Sequence, residues 1–289
     1  DLPLTEWFAA MNACDASTAL LGGGTEAAYR SGFEVRTDDE PAAVIEELLK
    51  ACSGQLVDMG GIWKPKVGAV GLPVLFVTDE DIIVTRPQEL NPFPNLSDTH
   101  NGVSATYPEP VSLYESISAP IRTNATDETA DGGRRLIADL SFAAAPYKDQ
   151  VQRLMEAYRL DNRRFRRHAL TLNPQAMILE PTDSISWTST ANGYSAKVFE
   201  VGGITEDMMT VLQRVTIRER DSGDYAWNAA TDTKVVSLAS GARVAPPAQP
   251  VPSWAVTGGT VTGDVAGVAI PSITLSWDGT DQDGVDALK

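Results

Sequence analysis

The chain has 289 residues, a length for about two domains, and its composition is 43% hydrophobic and 21% charged. That balance excludes a disordered or collagen-like chain and leaves enough apolar material for a packed core. Lys and Arg number 23 against 39 Asp and Glu, a formal net charge of −16, which argues against a nucleic-acid-binding module, non-specific or sequence-specific.

Leu4, Trp7, Phe8 and Met11 share one helical face, and Asp15 with Gly22-Gly23-Gly24 closes a first predicted helix over residues 4–14. A second, over residues 41–53, has Asp39 as candidate cap and Pro41 in its first turn; Val44, Ile45, Leu48, Leu49 and Cys52 form its stripe, and Gly54 its stop. Two short apolar runs, 55–59 and 62–67, flank Gly60-Gly61 and predict a hairpin. From 73 to 120 the prolines are frequent and the apolar runs short (74–78, 82–85, 102–107), which fits strands and loops.

The longest predicted helix covers residues 146–168, with Tyr147, Val151, Leu154, Met155, Tyr158 and Phe165 near one face and charges on the others. Residues 169–220 contain short β-type runs (170–172, 176–179, 184–189, 196–201, 209–218) that predict an antiparallel sheet. The Pro-rich stretch 245–252 reads as a linker. After it, an alternating strand over 270–277 belongs to a module too short for a whole β-sandwich. The expected fold class is α+β, mostly β, with domains over residues 1–70, 71–242 and 243–289.

Cys14 and Cys52 supply no disulfide framework and too few thiolates for a zinc site; both read as buried thiols. No run of about 18 apolar residues occurs. The start, Asp1-Leu2-Pro3-Leu4, has neither an initiator Met nor a signal-peptide charge pattern, so the chain reads as a soluble piece of a longer one.

His100 and His168 are the only histidines, which disfavours a His-based triad or a multi-histidine metal site. A structural role is expected for both, His168 as a charged imidazole at a helix end. Gly22-Gly23-Gly24-Thr25 lacks the spacing and the Lys of a P-loop and reads as a turn. The run Arg163-Arg164-Phe165-Arg166-Arg167 could hold a phosphate or a carboxylate. Its more plain reading is a helix end that complements the dipole and pairs with acids of a neighbouring subunit. Asp278, Asp281, Asp283 and Asp286 suggest calcium, but their spacing does not match the twelve-residue loop and a solvated loop is the simpler reading. Asn95-Leu96-Ser97 and Asn124-Ala125-Thr126 fit the glycosylation pattern, which matters only in a eukaryotic secretory context. No catalytic, cofactor-binding or metal-binding residue is assigned, and the protein is not expected to be an enzyme.

An ordered set of short features carries a resemblance. It runs through Gly24-Thr25-Glu26, Tyr29-Arg30, Gly32, the helix from Pro41 to Gly54, Gly60-Gly61-Ile62-Trp63-Lys64, and Asn101-Gly102-Val103 with Tyr107 and Pro110. It continues in Val151-Gln152-Arg153-Leu154, Glu180-Pro181-Thr182-Asp183, Lys197-Val198-Phe199-Glu200-Val201, and Ile217-Arg218-Glu219 with Tyr225 and Trp227. In this order they resemble the central tail hub, or lambda-type tip attachment protein, of long-tailed bacteriophages and related gene transfer agents. That family often has Pro-Gly-Asp where this chain has Pro181-Thr182-Asp183.

The resemblance implies tail-hub domains with a few packed helices, followed by the start of a fibronectin type III-like module. It implies a virion structural protein at the tail tip: a homotrimer closing the distal end of the tail tube. Its partners would be the distal tail protein, other tip or baseplate proteins, the tape measure protein in the lumen, and a host receptor reached through appended modules. Acids lining such a lumen would repel passing DNA.

Two rival readings stand beside it. One is a receptor- or carbohydrate-binding module using Trp63, Trp187, Trp227 or Trp254, most of which are expected in the core. The other is an envelope-degrading tail enzyme, against which the lack of a catalytic spacing weighs.

Overall fold

The computed structural model describes residues 1–236, 254–262 and 269–276. The chain divides into two compact units, Asp1–Ser237 and Leu238–Lys289. The fold class is α+β and mostly β.

In chain order the first unit begins with α1 (Leu4–Cys14), β1 (Ser17–Ala19), β2 (Thr25–Ala27), α2 (Pro41–Lys50), β3 (Gln55–Met59), β4 (Ile62–Lys66), β5 (Leu75–Thr78) and β6 (Glu89–Asn91). It continues with β7 (Gly102–Glu109), β8 (Glu115–Ser118), β9 (Arg122–Thr123), α3 (Ala125–Ala130), β10 (Ile137–Ser141) and α4 (Lys148–Asn162). It ends with β11 (Arg167–Leu172), β12 (Ser184–Ser189), β13 (Tyr194–Asp207), β14 (Leu212–Glu219) and α5 (Ala229–Asp232). The second unit holds β15 (Ala255–Thr262) and β16 (Ala269–Ser276), paired antiparallel from Ala255↔Ser276 to Thr262↔Ala269.

Several elements form where local signals place them. Pro41 presets the first turn of α2 and lacks the N–H that a first turn leaves unpaired. Its N-cap is Glu40 instead of Asp39, whose carboxylate accepts the Arg36 N–H at 2.8 Å. Gly60 and Gly61 take φ of +64° and +89°, the left-handed values a two-residue hairpin turn between β3 and β4 demands. Asn124 caps α3 by accepting the N–H groups of Thr126 and Asp127.

A six-stranded sheet of order β5-β12-β13-β14-β11-β6 carries one core. The strands from β11 to β14 pair antiparallel as the alternation predicts, whereas β5 joins β12 parallel. Alternate residues face inward, so Val77, Leu170, Leu172, Ile185, Trp187, Phe199, Val201, Val215 and Ile217 pack together. A bulge at Gly202 between Val201 and Gly203 shifts the β13–β14 register.

A second sheet, β10-β7-β8 with β9 also on β7, packs against α4. There Val103, Ala105 and Tyr107 of β7 meet Val151, Leu154 and Met155.

Three sequence expectations are corrected. The helix predicted to residue 168 ends at Asn162, and 167–172 is a strand, because His168, Leu170 and Leu172 alternate with Arg167, Ala169 and Thr171 at a β period. The runs at 176–179 and 82–85 are not strands: the first lies in a 3-10 turn, Pro174–Ile178, and the second touches the sheet only through an isolated bridge of Ile82 to Leu172. The polar side of α4 is also largely buried, with Gln150 and Gln152 at 0% exposure. Gln150 accepts the Arg30 N–H and donates to the carbonyls of Arg30 and Ala51. Gln152 accepts from Arg122 and the Lys234 N–H and donates to the Lys234 carbonyl.

The turn at Pro181-Thr182-Asp183 keeps a glycine-like geometry: Thr182 has φ of +74°, an uncommon state for a β-branched residue. Lysines from β4 hold it, Lys64 on Glu180 and Lys66 on the Thr182 carbonyl and Glu200. The linker at 245–252, Trp277 and the Asp-rich stretch 278–286 lie outside the described residues.

Candidate functional site

The segment from the end of α4 to the start of β11 collects most of the charge chemistry. The chain stops being helical at the Arg163 cap, so its arginines fan out in several directions. Arg163 donates to Asp131 at 2.8 Å, and Arg159 to Asp127 at 2.6 Å and Glu156 at 2.7 Å. Arg164 grips Asp224 with two bonds of 2.8 and 2.6 Å and reaches Asp221 at 2.9 Å. The bonds to Asp224 push its guanidinium pKa further up, so it is a fixed cation. Arg166 lies 3.9 Å from Glu219, which also takes Lys197 at 2.6 Å. Asp161 at the end of α4 accepts from Arg220 at 2.8 Å and from Arg218.

These pairs lie within one chain, not between subunits as the sequence suggested, and they tie α4 to α3, β14 and the 221–225 turn. Arg167 is different. It starts β11, and its exposed side chain forms no hydrogen bond or ion pair among the described residues.

His168 lies inside the sheet core at 7% exposure, not at a helix end. Its Nε2 and the Tyr194 hydroxyl share a hydrogen bond of 2.9 Å, and Trp187, Tyr194 and Phe199 surround it with centroids at 4.9, 5.7 and 5.6 Å. Burial, with Arg166 adding to it, pushes the imidazole down from 6.5 to about 4. The unfolded chain binds this proton more readily, so stability is full above about pH 6.5 and falls as pH drops towards 4. An NMR titration should find the His168 midpoint near 4; a midpoint near 6.5 would show a water-exposed ring.

The other candidates separate. His100 remains in a loop. Gly22, Gly23 and Gly24 form a positive-φ turn. Cys14 and Cys52 are free and half-buried instead of buried, and burial raises the Cys52 thiol to about 11. Trp187 is core, Trp63 is 42% exposed on the hairpin, and Trp227 lies under the Arg122 guanidinium at 5.1 Å. Asn124 serves as a helix cap. No group of three or more His, Cys, Asp or Glu side chains suited to a metal occurs among the described residues.

The short features spread along the sequence meet in space. Glu26 bridges Arg30 and Arg153, the latter at 2.6 Å. Lys64 meets Glu180, Arg220 lies 3.6 Å from Glu200, and its Nη2 donates to Tyr225 at 3.2 Å. What these residues share is the tying of distant segments to one another.

Exposed apolar side chains gather at the tip of the β13–β14 hairpin. Met208 and Met209 are 82% and 92% exposed. Met177, Met208, Val211 and Leu212 line a hollow of about 240 Å³ there.

The family model described as "Putative phage tail protein" matches residues 40–204, more than half of the chain. The chain belongs to this family of phage tail proteins, and its place is the virion tail. Among solved structures it is similar to a chain of the virion of a native gene transfer agent particle, with a TM-score of 0.55 and 15% identity over 71% of this chain and 43% of that one. It thus spans under half the length of that virion chain.

Weaker likenesses are to the 43 kDa tail protein of prophage MuSo2 from Shewanella oneidensis (TM-score 0.40, 11% identity, 71% and 58% covered) and to prophage tail protein gp18 from Listeria monocytogenes EGD-e (TM-score 0.35, 9% identity, 74% and 70% covered). No curated protein matches the sequence.

Proposed function

We propose that the chain is part of the central hub of a phage tail tip, a homotrimer that closes the distal end of the tail tube and carries host-attachment modules. The family match over residues 40–204 carries the reading as a tail protein. The ordered short features support the hub in particular, and the fold is shared with a chain of a gene transfer agent virion.

In this reading residues 1–70 and 71–242 form hub domains and 243–289 begin an appended fibronectin type III-like module. The distal tail protein and other tip or baseplate proteins pack around the ring, the tape measure protein occupies the lumen, and a host receptor is met through the modules. The function is geometric and no side chain makes or breaks bonds. The exposed Met208, Met209 and Val211 with Met177 and Ile178 suit a subunit contact, since contiguous apolar patches mark interaction surfaces and Met adapts to varied partners.

Imaging of intact particles with the tail density traced by residue tests this. Three copies around the axis at the distal end are expected. Copies repeated along the tube, or outside the tail, would overturn the hub assignment.

A further inference from the structure

Arg167 lies in a row that crosses the sheet: its direct cross-strand neighbours are Asn91 of β6 on one side and Arg218 of β14 on the other. Like charges placed directly opposite one another in a sheet repel. Arg218 is neutralised by Asp161, although its Nε is buried without a partner. In the run 163–167, Arg163, Arg164 and Arg166 each have an acid, and Arg167 has none among the described residues.

Beside this pair is a polar cavity of about 330 Å³ lined by Asn91, Phe93, Asn95, Asp98, Arg167 and Arg218 among others. A second hollow of about 430 Å³ shares Asn91, Arg167 and Arg218. The side-chain amides of Asn91 and Asn95 make no hydrogen bond among the described residues. Phe93 is 72% exposed and forms a tilted pair with Phe165 at 6.1 Å, so an open aromatic face lies beside the amides.

We propose that this cavity binds a small hydroxylated ligand bearing an oxyanion, with Arg167 pairing with the carboxylate or phosphate. An oxyanion would supply the counter-charge that Arg167 lacks beside Arg218. Asn91, Asn95 and Asp98 supply donors and acceptors for hydroxyl groups, and Phe93 an apolar face for the carbon skeleton. The volume is at the small end of ligand sites, which run from about 300 to 1,000 Å³, and suits a single sugar ring or short polyol. A concave polar pocket with solvent-exposed amides beside the guanidinium favours such a ligand over an acidic side chain of a second copy, which would need only the guanidinium.

The test is calorimetric titration of the whole chain at low salt with glucuronate, glycerol 3-phosphate, and the neutral glucose and glycerol. At least one acid should bind about tenfold or more tighter than its neutral counterpart, as charge-assisted bidentate pairing requires. Preference for glucuronate assigns a uronic-acid source, and preference for glycerol 3-phosphate a polyol phosphate. Arg167→Gln should reduce the acid's affinity to that of the neutral compound, and Phe93→Ala should weaken it further. Without ligand, Arg167→Gln should melt no lower than the parent chain, because the side chain has no partner to lose. Equal binding of acid and neutral compounds, or binding unchanged in Arg167→Gln, overturns the proposal. So does a parent chain that binds neither acid; if Arg167→Glu then abolishes its self-assembly, Arg167 is an intersubunit ion-pair residue.

Discussion

Phe199→Ala is expected to lower the unfolding free energy by about 3–5 kcal/mol, the range for deleting a large aromatic side chain from a packed core. Phe199 has 0% exposure and pairs across strands with Ile185 on β12 and Glu219 on β14. Its ring lies 5.6 to 5.8 Å from those of His168, Trp187 and Tyr194, so it holds together side chains from three other strand positions. Truncation forfeits the transfer free energy of the ring and leaves a cavity that neighbours fixed in a sheet fill poorly. Phe199→Leu keeps most of the volume and should cost less than half as much. Guanidinium unfolding of the three proteins checks this; a loss for Phe199→Ala below about 1 kcal/mol would show that the sheet core collapses freely around the gap.

Asp161→Ala is expected to cost a similar amount, about 3–5 kcal/mol, by a different route. The carboxylate is shared by Arg218 and Arg220, and the Arg220 side chain is only 5% exposed. Without it Arg220 keeps Glu200 at 3.6 Å but loses its short bond, leaving a buried guanidinium undercompensated. Arg220→Met in the Asp161→Ala background should recover part of the loss, because an apolar side chain of similar length needs no counter-charge. A double-mutant cycle on Asp161 and Arg220 reads the coupling directly, and additive losses would mean that the pair contributes no more than its separate packing.

How far the sequence reaches is clear from single elements. The second helix was legible because Pro41, an apolar stripe and Gly54 act within a few residues of one another, and β12 was legible over Ser184–Ser189 because alternation is local. Helix α1 and the Gly60-Gly61 hairpin were legible for the same reason.

The overlong third helix failed where two periods overlap: Phe165 continues the helical stripe while His168, Leu170 and Leu172 already follow a strand. The arginine run is plain in the sequence but its partners are not. Asp127, Asp131, Asp221 and Asp224 are brought to it by the fold, and nothing near 163–167 in the sequence announces them. The cavity at Arg167 was illegible for the same reason, since Asn91, Phe93 and Asn95 sit on an unremarkable loop until β6 pairs with β11.

The order of strands in the larger sheet also dictates how the chain must assemble. Leu75 pairs with Ile185 and Asn91 with Arg167, while the four strands between them are contiguous in the last part of the unit. Both outer strands are therefore synthesised early and must wait, unpaired, for their neighbours to leave the ribosome. Closing such long loops is entropically expensive before any contact rewards it, so the rate-limiting event in folding should be the capture of these two early strands by a preformed antiparallel unit of β11 to β14. The nascent chain is most exposed to misassembly in that interval.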